Sequence, residues 1–375
     1  MVDKATGGLI EHFSAIQDPR ADNSRHILVE IMTIAVCAAI CGANNRVEVE
    51  IFGKAKQEWF ATFLELPNGI PAHDTFGRVF GLIDAEQFQR CFLNWVQTAS
   101  DLTEGQIVPI DGKKLRRSHD KSGGKAAIHM VSAWATEDQL VLGQVKVDDK
   151  SNEITAIPEL LALLELAGWI VTIDAMGCQT AIAAQIIEKE ADYVLAVKDN
   201  QENLHHDIQE LFAYAAEITF ADCDYAKTIA KGHGRLEIRE CWTLSNDEYF
   251  AYLRNRSAWE GLQSIAMVKS ERRNGDKCTV ETRYFISSLL SEAKQTLKAV
   301  REHWSIENGL HWKLDIAFRE DDSRVRKGNG AQNFAIVRHI ALNLLNQEKT
   351  AKCGIQAKRL KAGWDEKYLL KVLNS

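Results

Sequence analysis

The chain lacks most features that would send it out of a cell, into a membrane or around a structural zinc. Its eight cysteines (Cys37, Cys41, Cys91, Cys178, Cys223, Cys241, Cys278 and Cys353) form no CxxC pair, and no His–Cys spacing suits zinc. Scattered thiols in a chain this long fit a reducing cytosol better than a disulfide framework. The longest apolar stretch, Ile27 to Ala43, is broken by Glu30 and has no cleavable signal pattern before it. It therefore reads as a buried helix, neither a leader nor a membrane span. There is no low-complexity tail and no internal repeat. An excess of basic charge is missing too. The formal charge is -7, which weighs against a surface given over wholesale to phosphates, because phosphate binding is driven by Lys and Arg.

What is present is enough for a core. With 375 residues, 46% of them apolar, two or three domains are expected. The cations are clustered, so the mean charge misleads. Lys113, Lys114, Arg116, Arg117, Lys121 and Lys125 form one group. Arg319, Arg324, Arg326 and Lys327 form a second, and Lys352, Lys358, Arg359 and Lys361 a third. Any one such cluster, taken alone, is most simply a solvated face.

Residues 1 to about 100 read as a helical domain. Pro67-Asn-Gly-Ile-Pro71 is a turn signal, after which Asp74 or Thr75 is placed to cap a helix through Phe76, Val79, Phe80 and Leu82. Phe88, Cys91, Phe92 and Trp95 follow at i, i+3, i+4, i+7. The pair could be a helix-turn-helix that reads DNA, or plain helical packing. From 105 the pattern alternates. Gln106–Ile110 reads as a strand, Ala126–Ala135 and Leu140–Val147 as a hairpin, and Ile154–Leu166 as a helix with Asn152 or Ser151 as cap. Trp169–Ile173 is a strand, Gln179–Lys189 a helix and Tyr193–Val197 a strand. Hairpins followed by α/β crossovers give a mixed sheet flanked by helices. Residues from about 205 to 290 read as a β-rich insertion, with strand-like runs at Leu236–Leu244 and Cys278–Ile286 and a hairpin signal at Asn274-Gly275. Helix returns at about Ser291 and continues through Glu307, and another covers Ala331–Leu345. The α/β domain so outlined is 105–347, leaving 348–375 as a basic C-terminal segment.

Three carboxylates stand out. Ile-Val-Pro-Ile-Asp111-Gly-Lys-Lys and Trp-Ile-Val-Thr-Ile-Asp174-Ala-Met-Gly each end an apolar, β-branched run with an Asp. Arg301-Glu-His-Trp-Ser-Ile-Glu307-Asn sets a Glu in a helical pattern. Two strand-end Asp residues and a helix Glu can bind a pair of divalent cations that act on a phosphodiester. Each has a plainer reading: Asp111-Gly as a turn pair, Asp174 as a helix cap, and Glu302 or Glu320 as rivals of Glu307. His303, Glu307 and His311 are spaced i, i+4, i+8 on one face. This suits DNA contacts, hydrogen-bond support for the carboxylate, a transition-metal site or packing. Trp304 and Trp312 are expected in the core. Lys198, just past a strand, is either a phosphate contact or an exposed Lys.

With these segments in hand, the chain resembles the DDE transposases of bacterial insertion sequences, in the group of the H-repeat-associated proteins. The resemblance spans nearly the whole sequence. Near the N-terminus it rests on Asp18-Pro-Arg20, His26, Leu28, Cys41-Gly-Ala43, Asn68-Gly-Ile-Pro71, Asp74-Thr-Phe76 and Arg78-Val-Phe80. In the core it rests on Ile110-Asp-Gly-Lys113, Lys150-Ser-Asn-Glu-Ile154, Thr172-Ile-Asp-Ala175 and Val197-Lys-Asp-Asn-Gln201. It continues in His303-Trp-x-Ile-Glu-Asn308, Leu310-His-Trp312 and Leu314-Asp315.

The resemblance implies a ribonuclease-H-like α/β core with Asp111 and Asp174 ending its neighbouring first and fourth strands. It implies two Mg2+ ions (Mn2+ as substitute) held by Asp111, Asp174 and Glu307, and cleavage and joining of double-stranded DNA at terminal inverted repeats and target. Candidate DNA contacts are Lys113, Lys114, Arg116, Arg117, Lys198, Arg301, His303, His311 and Lys313. A homodimer or larger assembly, no membrane, and a cytoplasmic, nucleoid-associated location are expected. Related transposases often surround the Glu with Tyr, Arg and Lys. Here those positions are Val300, His303 and Leu314, with Arg301 and Lys313 displaced by steps of about 100° around a helix. The Glu carries over and its partners do not. The alternatives are an inactive or domesticated transposase that only binds DNA, and a nuclease that cuts without joining.

Overall fold

Residues 8–21, 24–99, 103, 105–119, 127–147, 151–232 and 234–375 are described by a computed structural model. Lys121, Lys125 and Lys150 lie outside the described residues. The elements run α1 (Leu9–Ser14), α2 (Leu28–Ile40), α3 (Arg46–Ala55), α4 (His73–Leu82) and α5 (Ala85–Ala99), then β1 (Ile107–Lys114), β2 (His129–Ala135) and β3 (Leu140–Lys146). Next come α6 (Glu153–Leu163), β4 (Ile170–Ile173), α7 (Thr180–Glu188), β5 (Asp192–Val197) and α8 (Glu202–Glu217). The strands β6 (Asp224–Gly232), β7 (Arg235–Leu244), β8 (Ser264–Asn274) and β9 (Lys277–Ser287) follow. Then come α9 (Ala293–His303), a π-helical turn (Glu307–His311), α10 (Trp312–Phe318), α11 (Gly330–Gln347), α12 (Ile355–Trp364) and α13 (Glu366–Leu373). Among the described residues, no helix is long and apolar enough to cross a membrane.

The chain divides into two compact units. One comprises Met1–Thr103, Gly112–Lys150 and Glu307–Ser375, and the other Glu104–Asp111 and Ser151–Ile306.

In the second unit β1, β4 and β5 run parallel, in register Ile107↔Ile170 to Ile110↔Ile173 and Ile170↔Asp192 to Ile173↔Leu195. Continuous β-branched runs suit strands covered on both faces. The β-rich stretch is not a separate sheet. Its last strand, β9, pairs antiparallel with β5, and the order continues β8, β7, β6. The result is a mixed sheet, and the 16-residue helix α8 that precedes these strands was not legible as a helix. α9 presents Ala293, Leu297 and Val300 at helical spacing to a core of Ile107, Ile170, Val194, Cys241 and Phe285. Full burial of Leu297 alone is worth about 2 kcal/mol. α6 starts where expected, with Asn152 Oδ1 accepting from the Ile154 N–H at 3.1 Å.

The first unit is built around α11, whose residues are buried along almost its whole length. α2, α4 and α5 are in contact with it. Phe80 meets Phe334 with ring centroids 4.6 Å apart, and Phe92 meets His339 at 6.3 Å. The expected buried helix at Ile27–Ala43 is α2. Asp74 and Thr75 do not cap α4, contrary to the sequence reading. That helix starts at His73, and Glu50 of α3 accepts from the His73 backbone N–H at 2.7 Å. A carboxylate brought from a neighbouring helix satisfies the orphan donor and meets the positive helix end, so no local cap is needed. The hairpin β2–β3 carries a register shift at Ala133/Trp134. The outer side of β3 is paired by a side chain: Asn343 accepts from Val141 N–H at 2.8 Å and donates to Val141 O at 2.9 Å.

Candidate active site

In the second unit, the register that pairs Ile110 with Ile173 puts Asp111 and Asp174 at the next step of two adjacent parallel strands. Asp174 leaves β4 and caps a 3-10 turn, Ala175–Gly177. Its Oδ1 accepts from the N–H groups of Met176 at 3.0 Å and Gly177 at 3.4 Å. The cap reading of this residue is therefore correct in itself, and both bonds fall on one oxygen. Gly177 is required here, because a Cβ would overlap Ile173 Cγ2 and lie 3.0 Å from Ile157. The segment Val197–Gln201 acquires a role its sequence did not reveal. Asn200 Nδ2 donates to Ala175 O at 2.7 Å, and Gln201 Nε2 donates to Cys178 O at 2.9 Å. These amides hold the Asp174 turn against the end of β5.

A recess opens beside this turn, lined by Asp174, Lys198, His205, Arg283, His303 and Trp304 among others. His303 is paired with Thr172 (Nδ1 to Oγ1, 3.1 Å). Burial pushes its imidazole down to about 4 against the pull of Asp174, so it is neutral at physiological pH. Lys198 and Arg301 are exposed. The Arg283 guanidinium lies 4.6 Å from the centre of the Trp304 ring. Trp304 is 44% exposed and Trp312 59%, which corrects their assignment to the core.

In the first unit, Glu307 is exposed and opens the π turn, an irregularity frequent at functional sites. The turn is seated by Gly309. A Cβ there would lie 3.1 Å from the Trp134 indole. His311 is buried and held neutral at about 4 by burial and by Lys113.

Lys113 Nζ reaches Asp315 at 2.5 Å and Glu320 at 3.0 Å, and Arg338 adds a contact to Glu320 at 3.4 Å. Burial works to raise the Glu320 carboxyl, but Lys113 and then Arg338 hold it at about 2. Glu320 is thus the buried counter-charge of two cations, a role that no local motif around it signals. Lys313 donates to Gln139 and Asn346, each at 3.2 Å, and burial lowers its ammonium to about 8. Lys114, Arg116 and Arg117 are exposed. Arg116 pairs with Asp321 at 3.2 Å and Arg117 with Asp322 at 3.1 Å. Of the C-terminal cluster, Lys358 and Arg359 are buried, and Arg359 donates to the carbonyls of Ala39 and Ala43.

Comparison with known proteins bears out the resemblance. The family described as "Transposase DDE domain" matches residues 77–344, and one described as "DDE_Tnp_1-associated" matches residues 10–96. The chain is 42% identical over 373 residues to "Putative transposase YncI" of Escherichia coli O157:H7, covering 98% of this chain and 94% of that one. It is 40% identical to "H repeat-associated putative transposase YhhI" of Escherichia coli (strain K12), covering 97% of each. Among solved structures it is similar to the piggyBac transposase synaptic complex with hairpin DNA, at a TM-score of 0.42 and 11% identity. On the full-length relatives and the matched domain, this chain belongs to the family of DDE-domain transposases, with the H-repeat-associated proteins among its relatives.

Proposed function

We propose that the protein binds the terminal inverted repeats of its own insertion sequence, cuts a DNA strand there and joins the new end to target DNA. Asp111, Asp174 and Glu307 hold two Mg2+ ions, with Mn2+ as a substitute. The observation that supports this most is the β1–β4 register, which sets Asp111 and Asp174 side by side at the ends of parallel strands. Carboxylate oxygens are the hard ligands Mg2+ takes together with water and phosphate. When bound, the ion pair neutralises charge on the phosphate and lowers the pKa of the attacking water or 3′-hydroxyl.

The chain's own residues do the positioning. Asp174 is fixed by its cap bonds through Oδ1, which leaves Oδ2 for a cation. Asn200 and Gln201 hold the turn that carries it. His303, neutral and tied to Thr172, supports the strand as a hydrogen-bond partner and adds no charge. Lys114, Arg116, Arg117, Lys198 and Arg301 are exposed cations suited to phosphate oxygens. In this reading the core is ribonuclease-H-like over 105–347, and the helical domain at 1–100 assists DNA binding. The protein acts in the cytoplasm, on the nucleoid, as a homodimer or larger assembly, because two DNA ends must be joined.

The test is Mg2+-dependent cleavage and joining of a duplex carrying the element's ends. Wild type is run beside Asp111→Ala, Asp174→Ala and Glu307→Ala. Activity in wild type alone supports the reading. Cutting without joining makes the protein a nuclease, and DNA binding by all four with no cutting makes it a non-catalytic DNA-binding protein.

A further inference from the structure

We propose that an open groove in the unit formed by Met1–Thr103, Gly112–Lys150 and Glu307–Ser375 is a separate clamp for the phosphate backbone of duplex DNA. This rests on reading the protein as a DNA-handling enzyme. No catalytic candidate lines it, and Arg117, a DNA-contact candidate, adjoins it through Asp322. The groove encloses about 890 Å³. One wall is the first turn of α3 and the first two turns of α4, with Arg46 and Arg78. The other is the chain after α10, with Arg319, Arg324, Arg326 and Lys327.

Three carboxylates also line the groove, those of Glu48, Asp74 and Asp322, and each has a partner. Glu48 accepts from the Asn44 N–H and from Asn45 Nδ2, both at 2.6 Å. Asp322 pairs with Arg117 at 3.1 Å and Asp74 with Arg46 at 3.6 Å. The six cations therefore outweigh the acids locally, in a chain whose formal charge is -7. Arg78, Arg324 and Lys327 are exposed.

The groove is built to keep its shape. The strap carrying Arg324 to Lys327 is fastened to the end of α4 by backbone approaches that only glycine permits. Gly328 sits at φ +55°, and a Cβ on it would overlap the Gly81 carbonyl oxygen. A Cβ on Gly81 would lie 3.3 Å from the Lys327 carbonyl oxygen. Asn329 donates its N–H to Gly81 O at 3.1 Å and its side-chain amide to Ile83 O at 3.0 Å, and Asn333 donates to Phe80 O at 2.8 Å. Cations spread along two fixed walls of an open groove match a run of phosphates, whereas a single small anion would be enclosed by convergent donors. Duplex DNA, with charge on both strands, engages both walls at once.

The test uses the full chain and a fluorescent duplex without Mg2+, so that binding is read apart from cleavage, across a salt series. The variant Arg78→Ala/Arg324→Ala/Lys327→Ala should bind more weakly. Its dependence of log affinity on log salt should be shallower by about 0.9 for each phosphate no longer neutralised, so by up to about 3. Exposed Lys349→Ala is the control and should bind as wild type. If the triple variant melts early, Arg324→Glu and Lys327→Glu carry the test singly, each with a shallower slope expected. Wild-type affinity and slope in folded groove variants overturn the proposal, as does an equal loss in Lys349→Ala. Single-stranded DNA bound as tightly, with the same dependence on the groove, overturns the duplex assignment. Groove-dependent binding without any cleavage would sink the catalytic reading and leave this one standing. Absence of DNA binding by wild type would overturn both.

Discussion

Replacing Glu320 with Gln should destabilise the protein by about 3 kcal/mol at pH 7, a size that follows from its contacts in two ways. Glu320 is 3% exposed and lies between Lys113 and Arg338. Removing the shared anion from a buried network leaves cations uncompensated, which costs about 3–5 kcal/mol. Lys113 retains Asp315 at 2.5 Å, so the lower end applies. The same contacts, expressed as linkage, give the second figure. A carboxyl held at about 2 in place of its ordinary 4.5 stabilises the fold by roughly 3 kcal/mol. That contribution is fully present above pH 4.5 and is lost as pH falls through 2. The measurement is urea unfolding of wild type and Glu320→Gln at pH 7, repeated toward acid pH, where the two curves should approach each other. A Gln variant within about 0.5 kcal/mol of wild type at pH 7 would refute the argument. Replacing the whole set, as Lys113→Met/Glu320→Leu/Arg338→Met, should recover part of the loss, because the fully buried charges leave together and the charge left without its partner is that of Asp315, which is partly exposed.

If Asp111, Asp174 and Glu307 share cations, their mutual repulsion is relieved on binding. Millimolar Mg2+ should then raise the melting temperature of wild type and not of the three Ala variants, and no shift in wild type would count against the triad. Changing His303 to Arg should cost about 3 kcal/mol in urea unfolding. It should not raise cleavage, because an obligate cation would replace a half-buried, neutral imidazole bonded to Thr172; a stable variant with raised cleavage would reverse that view. His303 also predicts acid sensitivity. With its folded value near 4, its contribution is present above pH 6.5 and lost as pH falls through 4, so His303→Gln should flatten stability over that window. Finally, Trp304→Ala and Trp312→Ala should each cost less than about 1.5 kcal/mol, well under the ~3–5 of a buried Trp, and a larger loss by thermal unfolding would show that these rings are covered.

Where sequence and structure agree, the information was local. β1, β4 and β5 were legible because each is a short apolar β-branched run closed by a polar residue. α6 was legible because Asn152 signals its cap. The hairpin at Asn274-Gly275 joins β8 to β9 with Gly275 at φ +56°, as the dipeptide requires. What failed depended on distant partners. The start of α4 is set by Glu50, some twenty positions earlier. α8 has a polar first turn that hid its buried stripe of Leu204, Ile208, Leu211 and Ala215. The destination of Lys113 could not be read from Gly-Lys-Lys, because its acids are about two hundred residues away. The same holds for Arg359, which looked like part of a basic tail and instead donates to carbonyls of residues 39 and 43.

The stretch around Glu307 was misread for a different reason, and it bears on the site. Treating residues 291 to 316 as one helix assumes one apolar phase. In α9 the buried positions are Ala293, Thr296, Leu297, Ala299 and Val300, and the Leu297–Val300 row would put Trp304 next on the stripe. The buried positions that follow are Ile306, Leu310 and Leu314. The stripe therefore shifts between Val300 and Ile306, and the division between the two compact units falls immediately after, between Ile306 and Glu307. The chain leaves the core of one unit and enters that of the other, so each part keeps its own phase. Trp304 falls in the gap, and Trp312 and Ile316, one turn apart, both end 59% exposed. The π turn at Glu307–His311 lies where the second phase begins, and it takes up the extra backbone through Gly309 against Trp134. Asp111 stands at another of the four such crossings, before Gly112. Two of the three proposed metal ligands thus sit where the chain passes between units, positions that no single run of periodicity could have marked.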